Sequence, residues 1–184
     1  MCGKNRFRNL ALLSADTLAG THAGTEAASA EGRNGSEAPK KPNILFFLVD
    51  DLGWSDIGCF GSRFHETPNI DRLAEEGVRF TNAYAACHVS SPTRASLMTG
   101  RYPASIRLTD WLPGRKNWPF QRLLNAPVEQ HLPFEEITVA ETLRDNGYAT
   151  AIIGKWHLGK GDSNPLAHGF DEHIPLGYNE GWPQ

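Results

Sequence analysis

Apolar runs alternate with helix-like segments along the chain, and this alternation predicts the fold. The first run, residues 43–49 (Asn-Ile-Leu-Phe-Phe-Leu-Val), is continuous and ends at Asp50 and Asp51. Its length and its aromatic and β-branched content predict a strand that is buried on both faces. Residues 78–84 and 148–154 predict two further strands.

Three helices are predicted between and beside these strands. The first spans residues 68–76, with Thr67 as its N-cap and Gly77 just past its end. The second spans residues 91–99 and the third residues 138–146. Because strands alternate with helices, the pattern predicts an α/β domain with a mostly parallel sheet flanked by helices.

The remaining segments are expected to lack regular structure. Residues 14–41 contain no aromatic residue and are rich in small and polar residues, so residues 1–41 are expected to be a disordered tail, a linker or a degenerate signal. The basic start at residues 4–8 precedes an apolar run shorter than the ~7–15 residues of a signal peptide. A periplasmic or secreted location and a cytoplasmic one therefore both remain open. Residues 103–135 contain five prolines and are expected to be irregular.

Composition excludes several classes of function. A formal net charge of −3 gives no reason to expect a nucleic-acid partner. No apolar run approaches the ~20 residues of a transmembrane helix. The three cysteines are odd in number and irregularly spaced, which is not the pattern of a disulfide framework.

Charged residues follow two of the predicted strands. Ligands of open α/β sheets bind beyond the carboxyl ends of the strands, which is where Asp50, Asp51, Lys155 and His157 would lie. Adjacent carboxylates suit a hard cation such as calcium or magnesium, and a polar strand end with solvated carboxylates is the structural alternative. On an extended segment Lys155 and His157 would face the same side, where they suit anion binding and proton transfer. A glycine-flanked strand end with an exposed Lys and a half-buried His is the structural alternative.

Ser90 and Arg94 lie at the beginning of the second predicted helix. A serine cap and Pro92 are explained by helix formation alone, but the identities of Ser90 and Arg94 are not. A helix N-terminus presents unpaired N–H groups and about half a positive charge, which suits a tetrahedral oxyanion. Arg94, one turn along, would bring its guanidinium to the same place.

In several motifs, found in the same order, the chain resembles the sulfatase family. The family's signature is Cys or Ser, any residue, Pro, any residue and Arg, continuing as Ala-Ser-Leu-Met-Thr-Gly-Arg. Residues 90–101 match this signature and its continuation, with Thr93 as a variant inside it. The resemblance extends from residue 42 to about 178, and its other matching segments are residues 42–53, 67–74, 77–80, 154–159 and 168–171.

The resemblance implies a sulfuric-ester hydrolase with an alkaline-phosphatase-like α/β fold. Residues 42–184 would be the N-terminal part of its catalytic domain, and the sheet would be incomplete at the C-terminal end. The implied substrate is an aryl or carbohydrate sulfate ester. Residues 103–135 would line the mouth of the pocket.

Ser90 holds the position that this family oxidises to formylglycine. The hydrated aldehyde of that residue attacks sulfur and later expels sulfate. A serine at this position resembles the branch that a radical maturation enzyme modifies. Cys87 is not the modified position, because Val89 stands where the signature requires proline. Asp50, Asp51 and the modified Ser90 would bind calcium.

Three further site residues are implied by the same resemblance. Arg94 would hold the modified residue and its charge. Lys155 would contact the sulfate, and His157 would hydrogen-bond the diol and assist sulfate release.

Part of the family pattern is missing, namely a later Asp-Asn pair for calcium and a further His and Lys for sulfate. We therefore expect a truncated chain that is a poor enzyme alone. An inactive sulfatase remnant is one alternative. Another is a phosphate- or phosphonate-ester hydrolase of the same superfamily, which would use an unmodified nucleophile and several metal-binding histidines. His65 and His88 lack the spacing of such a metal site.

Overall fold

The computed structural model describes residues 41–176. This part of the chain falls into two compact units that divide after Ala83. The predicted tail, residues 1–41, lies outside the described residues except for Lys41, and so does the signal-like start. No helix among residues 41–176 is long and apolar enough to cross a membrane.

The first unit contains helix α1 (Pro68–Glu76), which has the predicted bounds. A 3₁₀ turn, Gly58–Phe60, is attached to the beginning of this helix. The Thr67 hydroxyl accepts a hydrogen bond from the Gly58 N–H at 2.8 Å. A Cβ on Gly58 would lie 2.4 Å from the Asp71 carboxylate, so this close approach of turn and helix requires glycine.

Residues 43–49 and 78–84 are not strands, which corrects the sequence prediction. Both segments expose large apolar side chains, including Leu45 at 62% and Val78 at 73%. A strand is completed by hydrogen bonds to a neighbouring strand, and within residues 41–176 neither segment is paired with one. The apolar composition therefore indicates segments that are suited to a sheet, but it does not determine whether they form hydrogen bonds with a neighbouring strand.

The second unit combines three α-helices with a small parallel sheet. Two helices and one strand lie where the sequence predicts them, and the other two elements fall in segments predicted to be irregular. The unpredicted helix is a single turn and the unpredicted strand has three residues. In chain order the elements are α2 (Ser90–Thr99), α3 (Pro103–Ile106), α4 (Val139–Asp145), β1 (Ala151–Ile153) and β2 (Glu172–Ile174).

The sheet pairs β1 with β2 in parallel, with Ala151 opposite Glu172 and Ile153 opposite Ile174. Asp171 fixes the beginning of this pairing, since its carboxylate accepts hydrogen bonds from the Thr150 N–H at 2.8 Å and the Thr150 hydroxyl at 3.0 Å. These bonds lower the pKa of Asp171. The predicted α/β class with a parallel sheet is confirmed.

A buried cluster beside β1 holds the segment that follows this strand. The Trp156 indole donates to the Ser163 carbonyl at 2.9 Å. The His168 ring stacks on Phe134 and lies against Trp156, with centroids 5.0 and 5.5 Å apart. Burial lowers the pKa of His168. The surrounding apolar core comprises Ala95, Ile106, Leu108, Leu132, Trp156 and Leu158.

Candidate active site

The first turn of α2 presents Ser90. The helix begins one residue earlier than predicted, and its N-cap is Val89, whose side chain accepts no capping bond. The Thr93 hydroxyl instead fixes the preceding backbone by donating to the Cys87 carbonyl at 2.8 Å. At the other end, Gly100 adopts φ 69°, and its N–H closes the helix on the Ser96 carbonyl. Ser90 therefore lies beside N–H groups that its cap residue does not satisfy.

Two basic side chains converge on the Ser90 hydroxyl. The Arg94 Nε donates to Ser90 Oγ at 3.1 Å, and His157 Nδ1 lies 3.3 Å from the same oxygen. Both Arg94 and His157 are buried. A second bond, from Arg94 Nη1 to the Lys155 carbonyl at 2.7 Å, fixes the guanidinium. A positive charge held next to a helix N-terminus suits an anion or an oxygen that develops negative charge.

The proton on His157 is defined by a backbone group. His157 Nε2 lies 3.0 Å from the Leu112 carbonyl, which can only accept, so Nε2 carries the proton. In the neutral ring Nδ1 is then an acceptor for the Ser90 hydroxyl proton. Ser90 Oγ thus donates to His157 and accepts from Arg94.

His157 is brought to Ser90 by a turn rather than by an extended segment. Its φ is 59°, in the left-handed region, where a non-glycine residue costs of order 1–3 kcal/mol. The extended path predicted for residues 155–157 is consequently wrong at His157, which is buried against Ser90, while Lys155 is exposed. Lys155 contributes its carbonyl to Arg94.

Asp50 and Asp51 lie in the first unit, at a turn in which Asp51 adopts φ 59°. Both residues are exposed, and their carboxylate oxygens are the donors that a hard divalent cation prefers. Within residues 41–176 no group of three or more His, Cys, Asp or Glu side chains is arranged to hold a metal ion. The pair therefore fits calcium in chemistry but supplies only part of a ligand set. Its predicted convergence with Ser90 stays a prediction.

Comparison with known proteins identifies the family. The model of the sulfatase family matches residues 42–181. The chain belongs to the sulfatase family. N-acetylgalactosamine-6-sulfatase of Canis lupus familiaris is 43% identical over 149 residues, which cover 78% of this chain and 27% of that protein. Steryl-sulfatase of Homo sapiens is 45% identical over 143 residues, which cover 74% of this chain and 24% of that protein.

A solved structure agrees with this sulfatase assignment. The crystal structure of Ps i-CgsB in complex with k-i-k-neocarrahexaose matches with a TM-score of 0.59 and 39% identity, covering 71% of this chain and 27% of that one. The similarity confirms the predicted alkaline-phosphatase-like fold class. The chain spans about a quarter of the length of the relatives that it matches.

Two groups of the site could not be found by motif reading. The Leu112 carbonyl is a backbone atom, so its role depends on tertiary structure and leaves no trace in residue type. Ser91 occupies the signature position that accepts any residue, yet its Oγ accepts a hydrogen bond from the Leu112 N–H at 3.1 Å.

Proposed function

We propose that the chain carries the nucleophile of a sulfuric-ester hydrolase, which is formylglycine made by oxidation of Ser90. The observation that carries the proposal is the pair of contacts from Arg94 and His157 to Ser90 Oγ, at 3.1 and 3.3 Å. Membership of the sulfatase family supports the same reaction class. Formylglycine would supply a hydrated aldehyde, a stronger nucleophile than a serine hydroxyl at neutral pH.

The neighbouring side chains have separate tasks in this proposal. Arg94 holds an oxygen at position 90 and offsets negative charge that develops on the sulfate. His157 Nδ1 accepts a proton from a hydroxyl at position 90, because Nε2 already carries one. Lys155 places a flexible positive charge near the site and would reach a bound sulfate through its exposed side chain.

Calcium belongs to the proposal through Asp50, Asp51 and position 90. Bound there, the cation would offset charge on the sulfate oxygens. The two carboxylates provide the negative charge that holds it, and calcium takes about six to eight oxygen ligands, so further ligands are required. This part of the proposal rests on the donor chemistry of the Asp pair.

The proposed substrate is an aryl or carbohydrate sulfate ester. The names of the matching relatives include an N-acetylgalactosamine-6-sulfatase and a steryl-sulfatase, and the matching crystal structure contains k-i-k-neocarrahexaose. The proposed protein partner is the radical maturation enzyme that oxidises serine-type sulfatases. No observation favours the phosphate- or phosphonate-ester alternative.

The proposal is tested by mass spectrometry of the Ser90 peptide after production with the serine-type maturation enzyme. We expect position 90 to lose two hydrogen atoms, and fragmentation should assign this loss to Ser90 rather than to Ser91. Pro92→Ala, which breaks the signature, should abolish the loss. Ser105→Ala, at an exposed serine outside the signature, should leave it unchanged.

A control sulfatase produced in the same cells shows that the maturation enzyme is active. An unmodified Ser90 beside a fully modified control would contradict the proposal. Oxidation that persists in Pro92→Ala would show that the signature spacing is not what directs it.

A further inference from the structure

We propose that Ser91 is a positioning residue that keeps the proton of His157 on Nε2. The inference rests on the proposed function, because it concerns the histidine that would accept a proton from position 90. Ser91 follows the proposed nucleophile directly and occupies the signature position that accepts any residue. Its side chain is completely buried, with 0% of its surface exposed.

The backbone of Leu112 links Ser91 to His157, with its N–H on one side of the Cα and its carbonyl on the other. The Leu112 N–H donates to Ser91 Oγ at 3.1 Å, and the Leu112 carbonyl accepts from His157 Nε2 at 3.0 Å. His157 Nδ1 in turn lies 3.3 Å from Ser90 Oγ. Consecutive serines on the first turn of α2 therefore act on the two nitrogens of one imidazole, Ser90 directly and Ser91 through the backbone of Leu112.

The proton position matters because a neutral imidazole has two tautomers. With the proton on Nε2, the Nδ1 lone pair faces the Ser90 hydroxyl and accepts its proton. With the proton on Nδ1, the ring would present a donor to Ser90 Oγ, and Nε2 would face the Leu112 carbonyl with a lone pair against a lone pair. Only the first tautomer satisfies both contacts.

Ser91 sets the orientation of the carbonyl that makes this selection. Leu112 lies in the segment between α3 and α4, which contains no strand or helix in the structure, so no regular hydrogen-bond ladder holds its peptide. The bond to Ser91 Oγ anchors the N–H side of Leu112 and so restricts how the residue can turn.

The test measures the His157 tautomer by ¹⁵N NMR of the imidazole nitrogens in the full 184-residue chain with Ser90 unmodified. The measurement is made at about pH 8, above the ordinary histidine pKa of ~6.5. We expect the Nε2–H form to predominate. Ser91→Ala should lower the ratio of Nε2–H to Nδ1–H about three- to tenfold, the usual worth of one lost hydrogen bond.

Two variants act as controls. Ser91→Thr keeps the hydroxyl and should keep the ratio near that of the unsubstituted chain. Thr99→Ala removes a hydroxyl that bonds the Ala95 carbonyl at the far end of the same helix, and should also leave the ratio unchanged. An unchanged ratio in Ser91→Ala, or an equal fall in Thr99→Ala, would overturn the proposal.

Hydrogen exchange of the Leu112 amide provides a second measurement that needs no variant. Protection of this amide supports the proposal, and exchange at the rate of an open chain would overturn it even if Ser91→Ala does not fold. Both readouts are independent of oxidation and turnover. A failure of the proposed function, seen as an unmodified Ser90 in a maturing host, is therefore distinguishable from a failure of this inference.

Discussion

Arg94 shows how a single residue can serve both the site and the fold. Its guanidinium is buried and donates to Ser90 Oγ and to the Lys155 carbonyl, so it joins α2 to the segment that follows β1. The planar fork of arginine makes two differently directed bonds, which a lysine ammonium on a flexible stem reproduces poorly. The residue that would offset charge in the reaction therefore also holds the reacting elements together.

Substitution of Arg94 should reduce stability accordingly. Arg94→Ala should lower the free energy of unfolding by about 2–4 kcal/mol, and Arg94→Lys by about 1–2 kcal/mol, because hydrogen bonds from charged groups are worth ~1.5–3 kcal/mol each. Urea unfolding measures both. Arg115→Ala, which removes an exposed ion pair with Asp110 at 3.4 Å, should cost less than ~1 kcal/mol. Equal losses in Arg94→Ala and Arg115→Ala would contradict this account of Arg94.

At the scale of elements, the helices were the most predictable part of the fold. Helix α1 is marked by Pro68 and Gly77, and α4 by the capping box in which Thr138 and Glu141 bond each other's backbone N–H groups. Such signals are local, so sequence alone specifies them. Strand pairing is not local, which explains why the three-residue strand β2 was missed and why residues 43–49 were predicted as a strand that the structure does not contain.

The site was predictable in its residue types but not in its geometry. The signature spacing indicated Ser90 and Arg94, and the order of elements indicated His157. The left-handed backbone of His157 and its contact with the Leu112 carbonyl depend on tertiary structure, and no residue pattern predicts either of them. Sequence reasoning consequently named three side chains that meet, but predicted a wrong backbone path to one of them.

The turn Pro165–His168 gives the second unit a pH-dependent stability. Burial lowers the pKa of His168, with Glu141 raising it and His131 lowering it by smaller amounts. The folded state favours the neutral ring. The contribution of His168 to the free energy of unfolding is therefore complete above the ordinary histidine pKa of ~6.5 and is lost as the pH falls below that value. Unfolding free energies from urea titrations should therefore decrease between about pH 7 and pH 5.

His168→Gln is the matched variant for this prediction, and its stability should depend less on pH over the same interval. Asp171 affects stability in a separate pH range. Its pKa is lowered, so its contribution to the free energy of unfolding is lost only below the ordinary aspartate pKa of ~3.9. An unchanged pH dependence in His168→Gln would show that another group is responsible.

At the scale of the whole molecule, the chain spans about a quarter of its relatives and exposes many large apolar side chains. Exposed apolar surface favours association. Within the described residues, the ligand set for the proposed calcium ion is also incomplete. We expect residues 42–184, purified with Ser90 oxidised and calcium added, to aggregate readily and to hydrolyse an activated aryl sulfate far more slowly than a full-length relative. Turnover comparable to that of the full-length relative would show that the rest of the relative's length is not required for hydrolysis.

The central claim is that Ser90, once oxidised to formylglycine, is the nucleophile of a sulfate-ester hydrolase. It is tested most directly by placing residues 42–176 into the matching segment of a full-length sulfatase and measuring aryl-sulfate hydrolysis by the matured chimaera. We predict hydrolysis that Ser90→Ala lowers about a thousandfold or more and that Ser105→Ala leaves unchanged. Cooperative unfolding of each variant controls for folding. A folded chimaera with oxidised Ser90 that does not hydrolyse the ester, or one in which Ser90→Ala retains its rate, would contradict the claim.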